Sequence, residues 1–158
     1  MAHELARALT TALQDEYKAR ATYRKILAAF GHVRPFVNIV ESEERHIRAL
    51  TRLFAKHGIP LPHDEWPERV TAPASLHEAC VAAVEAERQN AALYAGLMDA
   101  TSDYPDVQET FRRLLASSED KHLPAFERCL AREARRAVPL PHGGPGGARC
   151  RRRRRGGA

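Results

Sequence analysis

The sequence predicts an all-α chain, an antiparallel four-helix bundle with a long crossover between the second and third helices. Three observations carry this. Apolar residues recur at helical spacing through four segments, and no stretch alternates at the period of a strand. Only a few residues separate helices one and two, and again helices three and four, so each pair should form an antiparallel hairpin. The link between the hairpins, residues 59–74, is long. Extended, it reaches roughly 50 Å, more than the roughly 38 Å of a helix of about 25 residues. It can cross the whole bundle and leave helices two and three parallel.

The first helix is expected from His3 to Phe30, with Leu5, Leu9, Leu13, Glu16, Tyr23, Leu27 and Phe30 on one stripe and Gly31 as a left-handed stop. The second runs from Val33 to His57, and Gly58 with Pro60 closes it. Its stripe holds Phe36, Ile39, Val40, Ile47, Leu50, Leu53 and Phe54. The segment IPLPHDEWPERVTAP carries four prolines and reads as irregular. Ser75 opens the third helix, and Ser75 with Glu78 has capping-box spacing. Leu76, Cys80, Val84, Glu87, Ala91, Tyr94 and Met98 form its stripe. After TSDYP, Pro105 stands in the first turn of a fourth helix that continues to Arg136. Its stripe is Phe111, Leu114, Ser118, Glu119, His122, Phe126 and Cys129.

Residues 1–137 should form the bundle, and residues 138–158 a disordered tail rich in Pro, Gly and Arg. The net charge of +5 belongs to that tail: Arg149 and Arg151 to Arg155 are six arginines, and without them the chain carries −1. Nucleic acid or an anionic surface could be held only there, by charge alone, since no aromatics interleave the arginines. No apolar run reaches membrane-spanning length, and the start, MAHELARALTTALQDEY, lacks the layout of a secretory signal; the cytoplasm is the expected compartment. Cys80, Cys129 and Cys150 are far apart and odd in number, which argues against a disulfide scaffold or a zinc ribbon. Cys80 and Cys129 should face inward, level with each other, as packed thiols, with a redox pair as the lesser alternative.

The chemistry lies in the stripes. Of eight histidines, only His46 and His122 have a glutamate three residues before them, Glu43 and Glu119. That spacing puts both side chains of a pair on one helical face. Helices one and three add Glu16 and Glu87 to equivalent stripes. All four carboxylates sit roughly 18–24 Å from their hairpin turns, so the six side chains converge on one layer. An internal repeat supports this: DEYKARATY (residues 15–23) matches AERQNAALY (86–94), and SEERHIRAL (42–50) matches SEDKHLPAF (118–126). Buried carboxylates repel one another and resist desolvation. Two divalent cations remove that cost, and carboxylate with imidazole suits iron or manganese without excluding zinc.

One Glu from each of two helices and Glu-x-x-His from each of the other two resembles the ferritin-like di-iron carboxylate pattern. Within that class, EYKARATY, PFVNIVESEERH and SSEDKHLPAF look like a bacterial branch related to rubrerythrin, domain of unknown function 2202, over roughly residues 3 to 135. The resemblance implies two Fe ions, with Glu43 and Glu119 bridging. Glu16 and Glu87 would be terminal carboxylates, and His46 and His122 terminal nitrogens. It also implies oxidation of the Fe(II) pair by O2 or H2O2, with an external electron donor, as no rubredoxin-like module is present. Asn90 stands where rubrerythrin-type sites often place a further carboxylate.

Two other readings stay open: a non-catalytic buffer or sensor of iron, manganese or zinc, and an interaction module in which the cluster only staples the helices. Exposed apolar positions admit a homodimer. Tyr23 and Tyr94 read as core residues with satisfied hydroxyls, or as electron donors beside the metals. Asp15 and Glu127 are candidate partners for the ligand histidines.

Overall fold

A computed structural model describes residues 2–137, so the Arg-rich tail lies outside the described residues. The chain is all-α: α1 (Ala2–Phe30), α2 (Phe36–Lys56), α3 (Trp66–Arg69), α4 (Leu76–Asp99), α5 (Pro105–Ser117) and α6 (Leu123–Ala137). A π-helical turn, Ser118–His122, joins α5 to α6. No strand occurs among the described residues.

Local chemistry sets the boundaries. Gly31, at φ 80°, ends α1 with its N–H on the Leu27 carbonyl at 2.9 Å. Gly58, at φ 64°, ends α2 in a Schellman motif: Ile59 N–H donates to Phe54 O at 2.9 Å and Gly58 N–H to Ala55 O at 3.3 Å. Both conformations favour glycine because it has no Cβ to clash. Ser75 caps α4 by accepting from Glu78 N–H at 3.1 Å, while the Glu78 carboxylate accepts from Ala74 N–H at 3.1 Å. The crossover is not wholly irregular, since α3 lies in it. Arg20 binds Asp64 at 2.6 Å and Trp66 Nε1 donates to Gln14 Oε1 at 2.8 Å, which straps the link along α1.

Paired contacts give the helix directions. Arg20 meets Glu44, and Glu16 meets His46, so α1 and α2 are antiparallel. Tyr23 meets Glu87, and Glu16 meets Tyr94, so α1 and α4 are antiparallel. Lys56 meets Asp106, and Arg132 donates to the Arg34 carbonyl, so α2 runs against α5 and α6. Therefore α2 and α4 point the same way, as the long crossover requires.

The apolar core has two parts. One gathers Leu9, Leu13, Leu50, Phe54, Tyr94 and Phe111; the other gathers Tyr23, Ile26, Phe36, Val84 and Phe126. Full burial of each large side chain contributes about 1.5–3 kcal/mol. In the second part, Tyr23, Phe36 and Phe126 pack with ring centroids 5.0–5.6 Å apart. Phe126→Ala would cost about 3–5 kcal/mol through the cavity left behind. Cys80 and Cys129 are joined there by a disulfide, Cα–Cα 6.0 Å, which corrects the expectation of separate packed thiols. Between the two parts lies a layer of buried polar side chains: Glu16, Glu43, His46, Glu87 and His122. No helix among the described residues is long and apolar enough to cross a membrane.

Candidate metal centre

Each helical rod delivers its polar side chain to the layer from the apolar stripe predicted above. Glu16 (2% exposed), Glu43 (3%), His46 (9%), Glu87 (4%) and His122 (3%) come together. His46 Nδ1 lies 3.2 Å from Glu16 Oε2 and 3.0 Å from Glu43 Oε2. His122 Nδ1 lies 3.3 Å from Glu43 Oε1 and 3.5 Å from Glu87 Oε2. The imidazoles stack with centroids 5.5 Å apart. Thus Glu43 belongs to two donor sets that can each hold a metal ion, Glu16–Glu43–His46 and Glu43–Glu87–His122.

Glu119 does not join them. The structure turns it outward, exposed to solvent, a correction to the six-residue set. The reason is the π turn. In an α-helix three residues sweep about 300°, which puts Glu43 and His46 on one face. The wider turn, closed by Leu123 N–H on the Ser118 carbonyl, sweeps less over the same three residues. Ser118 and His122 therefore point inward and Glu119 points out. Pro124 explains why the turn opens here. It has no N–H for the Asp120 carbonyl, and its ring would crowd that carbonyl in an α-helix. The matching residue of the first repeat is Arg48, and α2 stays regular.

The repeat also explains how the outer carboxylates are held. Tyr94 OH donates to Glu16 Oε1 at 2.6 Å, and Tyr23 OH donates to Glu87 Oε1 at 2.9 Å. Each tyrosine thus serves the glutamate of the other repeat. Sequence reasoning expected satisfied hydroxyls but named no partners. The far nitrogens of the histidines face Ser42 (3.4 Å from His46 Nε2) and Ser117 (3.2 Å from His122 Nε2), which were missed. Asp15 and Glu127, expected as candidates for that role, go elsewhere. Asp15 accepts from Asn90 Nδ2 at 2.7 Å, and Glu127 pairs with Arg88 at 3.2 Å.

The electrostatics of the layer are unbalanced. Burial raises the Glu43 pKa well above the usual carboxylate range, and repulsion from Glu16 adds to it. Burial acts on Glu16 too, but hydrogen bonds from His46, Glu43 and Tyr94 outweigh it and leave that carboxyl below its ordinary value. The two neighbouring carboxyls are thus pushed in opposite directions, Glu43 up and Glu16 down. Burial, then the neighbouring carboxylates, pushes both tyrosines far up, so they stay hydroxyl donors.

The donor set fits metal ions on one further observation. His122 Nδ1 is buried and has no hydrogen-bond partner, although it faces two carboxylates. An orphaned buried nitrogen is costly. A cation between it and the oxygens of Glu43 and Glu87 would satisfy all three groups.

A cavity of about 300 Å³ opens between α1 and α4 and reaches this layer. Glu43, Glu87, Asn90 and Ser118 lie along it together with a run of alanines. Their small side chains leave the space between the two helices unfilled.

The chain is thus an all-α protein with a buried glutamate and histidine cluster able to hold metal. No family model and no curated protein matches it. Its fold is similar to that of the hypothetical protein MJ0754 from Methanococcus jannaschii DSM 2661, with a TM-score of 0.73 and 23% identity over 82% of this chain and 81% of that one. At that identity the likeness concerns the fold alone.

Proposed function

We propose that the chain is a ferritin-like bundle, related to the rubrerythrins, that holds two metal ions across Glu43 and oxidises a bound Fe(II) pair with O2 or H2O2. The observation that supports it most is the two overlapping donor sets meeting at one carboxylate in the middle of the core. When bound, the iron pair supplies two electrons to the oxidant. The residues do the rest. Glu43 presents one oxygen to each side, near His46 and near His122. Glu16 and Glu87 close the two ends, each oriented by a tyrosine hydroxyl. The cavity between α1 and α4 gives a small oxidant a path, while the apolar parts of the core exclude bulk water from the other sides.

A non-catalytic buffer or sensor of iron, manganese or zinc is the second reading. The outward turn of Glu119 favours it, since the layer has one carboxylate fewer than the pattern that suggested oxidation chemistry. Metal analysis followed by repeated ferrous reduction and exposure to O2 or H2O2 separates the two. Two ions per chain with recurring oxidation on every cycle supports the oxidase reading. Two ions with one oxidation and no recovery supports the buffer. Failure to retain two ions removes both.

A further inference from the structure

The two donor sets carry one negative charge fewer than two divalent ions need, and the cavity reaches them. Glu16, Glu43 and Glu87 supply −3 against the +4 of two divalent ions. In the first half of the repeat the position after Ser42 is the inward Glu43. In the second half the π turn presents Ser118 inward and swings Glu119 to solvent. Ser118, Asn90, Glu43 and Glu87 all line the cavity, so the open coordination space and the entry path coincide.

We propose that this cavity binds a small monocarboxylic acid, whose carboxylate completes the metal layer in place of Glu119 and whose short hydrocarbon tail lies between α1 and α4. The inference rests on the metal-binding reading above. A single carboxylate brings the donor sets to −4, since Asp15, held on Asn90 Nδ2, belongs to neither set. Asn90 can orient it: Nδ2 donates one hydrogen to Asp15, Oδ1 accepts from Ser118 at 2.6 Å, and the second amide hydrogen remains for the ligand. The walls suit a tail, because Ala19, Ala79, Ala83, Ala86 and Ile26 present methyl groups and no charge. The size, near the lower end of the roughly 300–1,000 Å³ of small-molecule sites, limits the tail to a few carbons. Lys18 and Glu85 are exposed on the cavity wall, while Asp15 is part-buried beside Asn90. Lys18 is the sole cation among these lining residues, so a second deep carboxylate would find no partner.

The test uses the full chain loaded with Co²⁺, whose visible spectrum reports its ligands, and titrates in butyrate, acetate or 1-butanol. Butyrate should bind once per centre and shift the cobalt bands. It should bind about tenfold more tightly than acetate, as two further buried CH2 groups imply. 1-Butanol should leave the bands unchanged. Ala86→Leu and Ala82→Leu change exposed positions on the cavity wall. Each should leave Co²⁺ uptake intact and weaken butyrate by a similar factor. Normal uptake of two Co²⁺ with no response to butyrate overturns the inference and leaves the metal reading standing. So does a butyrate affinity unchanged from wild type in both leucine variants, because the tail would then not lie in this cavity. No Co²⁺ uptake removes the metal reading and the carboxylate with it.

Discussion

Replacing Glu43 by glutamine should stabilise the metal-free protein and cripple the metal-loaded one. Glutamine keeps the shape and removes the charge. In the metal-free chain Glu43 is 3% exposed, and burial with repulsion from Glu16 raises its pKa well above 4.5. The unfolded chain ionises at the ordinary value, so above it the folded state keeps a proton that the unfolded state has released. Stability is therefore full below 4.5 and falls as pH rises toward the folded-state pKa, by about 1.4 kcal/mol per pH unit within that window. Glu16 works in the opposite window. Its lowered pKa gives stability that is present above 4.5 and fades only as pH falls. The alkaline slope thus belongs to Glu43. At about 2–4 °C per kcal/mol for a domain of this size, each pH unit in the window lowers Tm by roughly 3–6 °C. Thermal melts from about pH 5 to about pH 8 in chelator should show this slope in the wild type and a flatter one in Glu43→Gln. With Zn²⁺ at about a hundred times its Kd, the wild type should gain about 2.7 kcal/mol and the variant little. A flat wild-type profile in chelator refutes the reasoning. So does a Glu43→Gln variant that melts below the wild type near the alkaline end, as ordinary loss of a buried hydrogen-bonding group would produce.

Glu119→Gln should bind metal as the wild type does, whereas Glu87→Gln should weaken one of the two ions; chelator competition with each variant distinguishes an outward from a ligating carboxylate. Tyr94→Phe leaves Glu16 Oε1 without its 2.6 Å donor and should cost about 1–3 kcal/mol of folding stability and about 10–100-fold in metal affinity, read by melting and by competition. Pro124→Ala should let the π turn close into α-helix and bring Glu119 inward. Metal affinity should then become sensitive to Glu119→Gln in that background, and insensitivity would show that proline does not set the turn. Thiol titration of the unfolded, unreduced chain should count only Cys150 as free; three reactive thiols would contradict the Cys80–Cys129 bond.

Much of this was legible because helical periodicity exposes its own violations. Glu16, Glu43, His46, Glu87 and His122 interrupt apolar stripes, and a polar group on such a stripe must meet another polar group or a metal. The stops at Gly31 and Gly58 and the cap at Ser75 were legible for the same reason, as each residue type answers a fixed backbone need. Glu119 failed because the reading assumed a uniform turn. The signal was available in Pro124, where the repeat has Arg48, but a proline two residues past the motif reads first as a kink. The partners of Tyr23 and Tyr94 were not legible, since pairing across the repeat depends on which helices lie side by side. The alanine-lined cavity was missed because small residues on a stripe look like ordinary close packing. The disulfide ranked below packed thiols because the three cysteines are odd in number, far apart and in no CxxC pair, although Cys80 and Cys129 were expected level with each other.

The most direct measurement is anomalous diffraction from crystals grown with Mn²⁺ or Zn²⁺. Two peaks should flank the Glu43 carboxylate, one toward Glu16 and His46, the other toward Glu87 and His122, with Glu119 in solvent. No peak at this layer, or a single peak that leaves His122 Nδ1 without a partner, would contradict a shared two-ion centre.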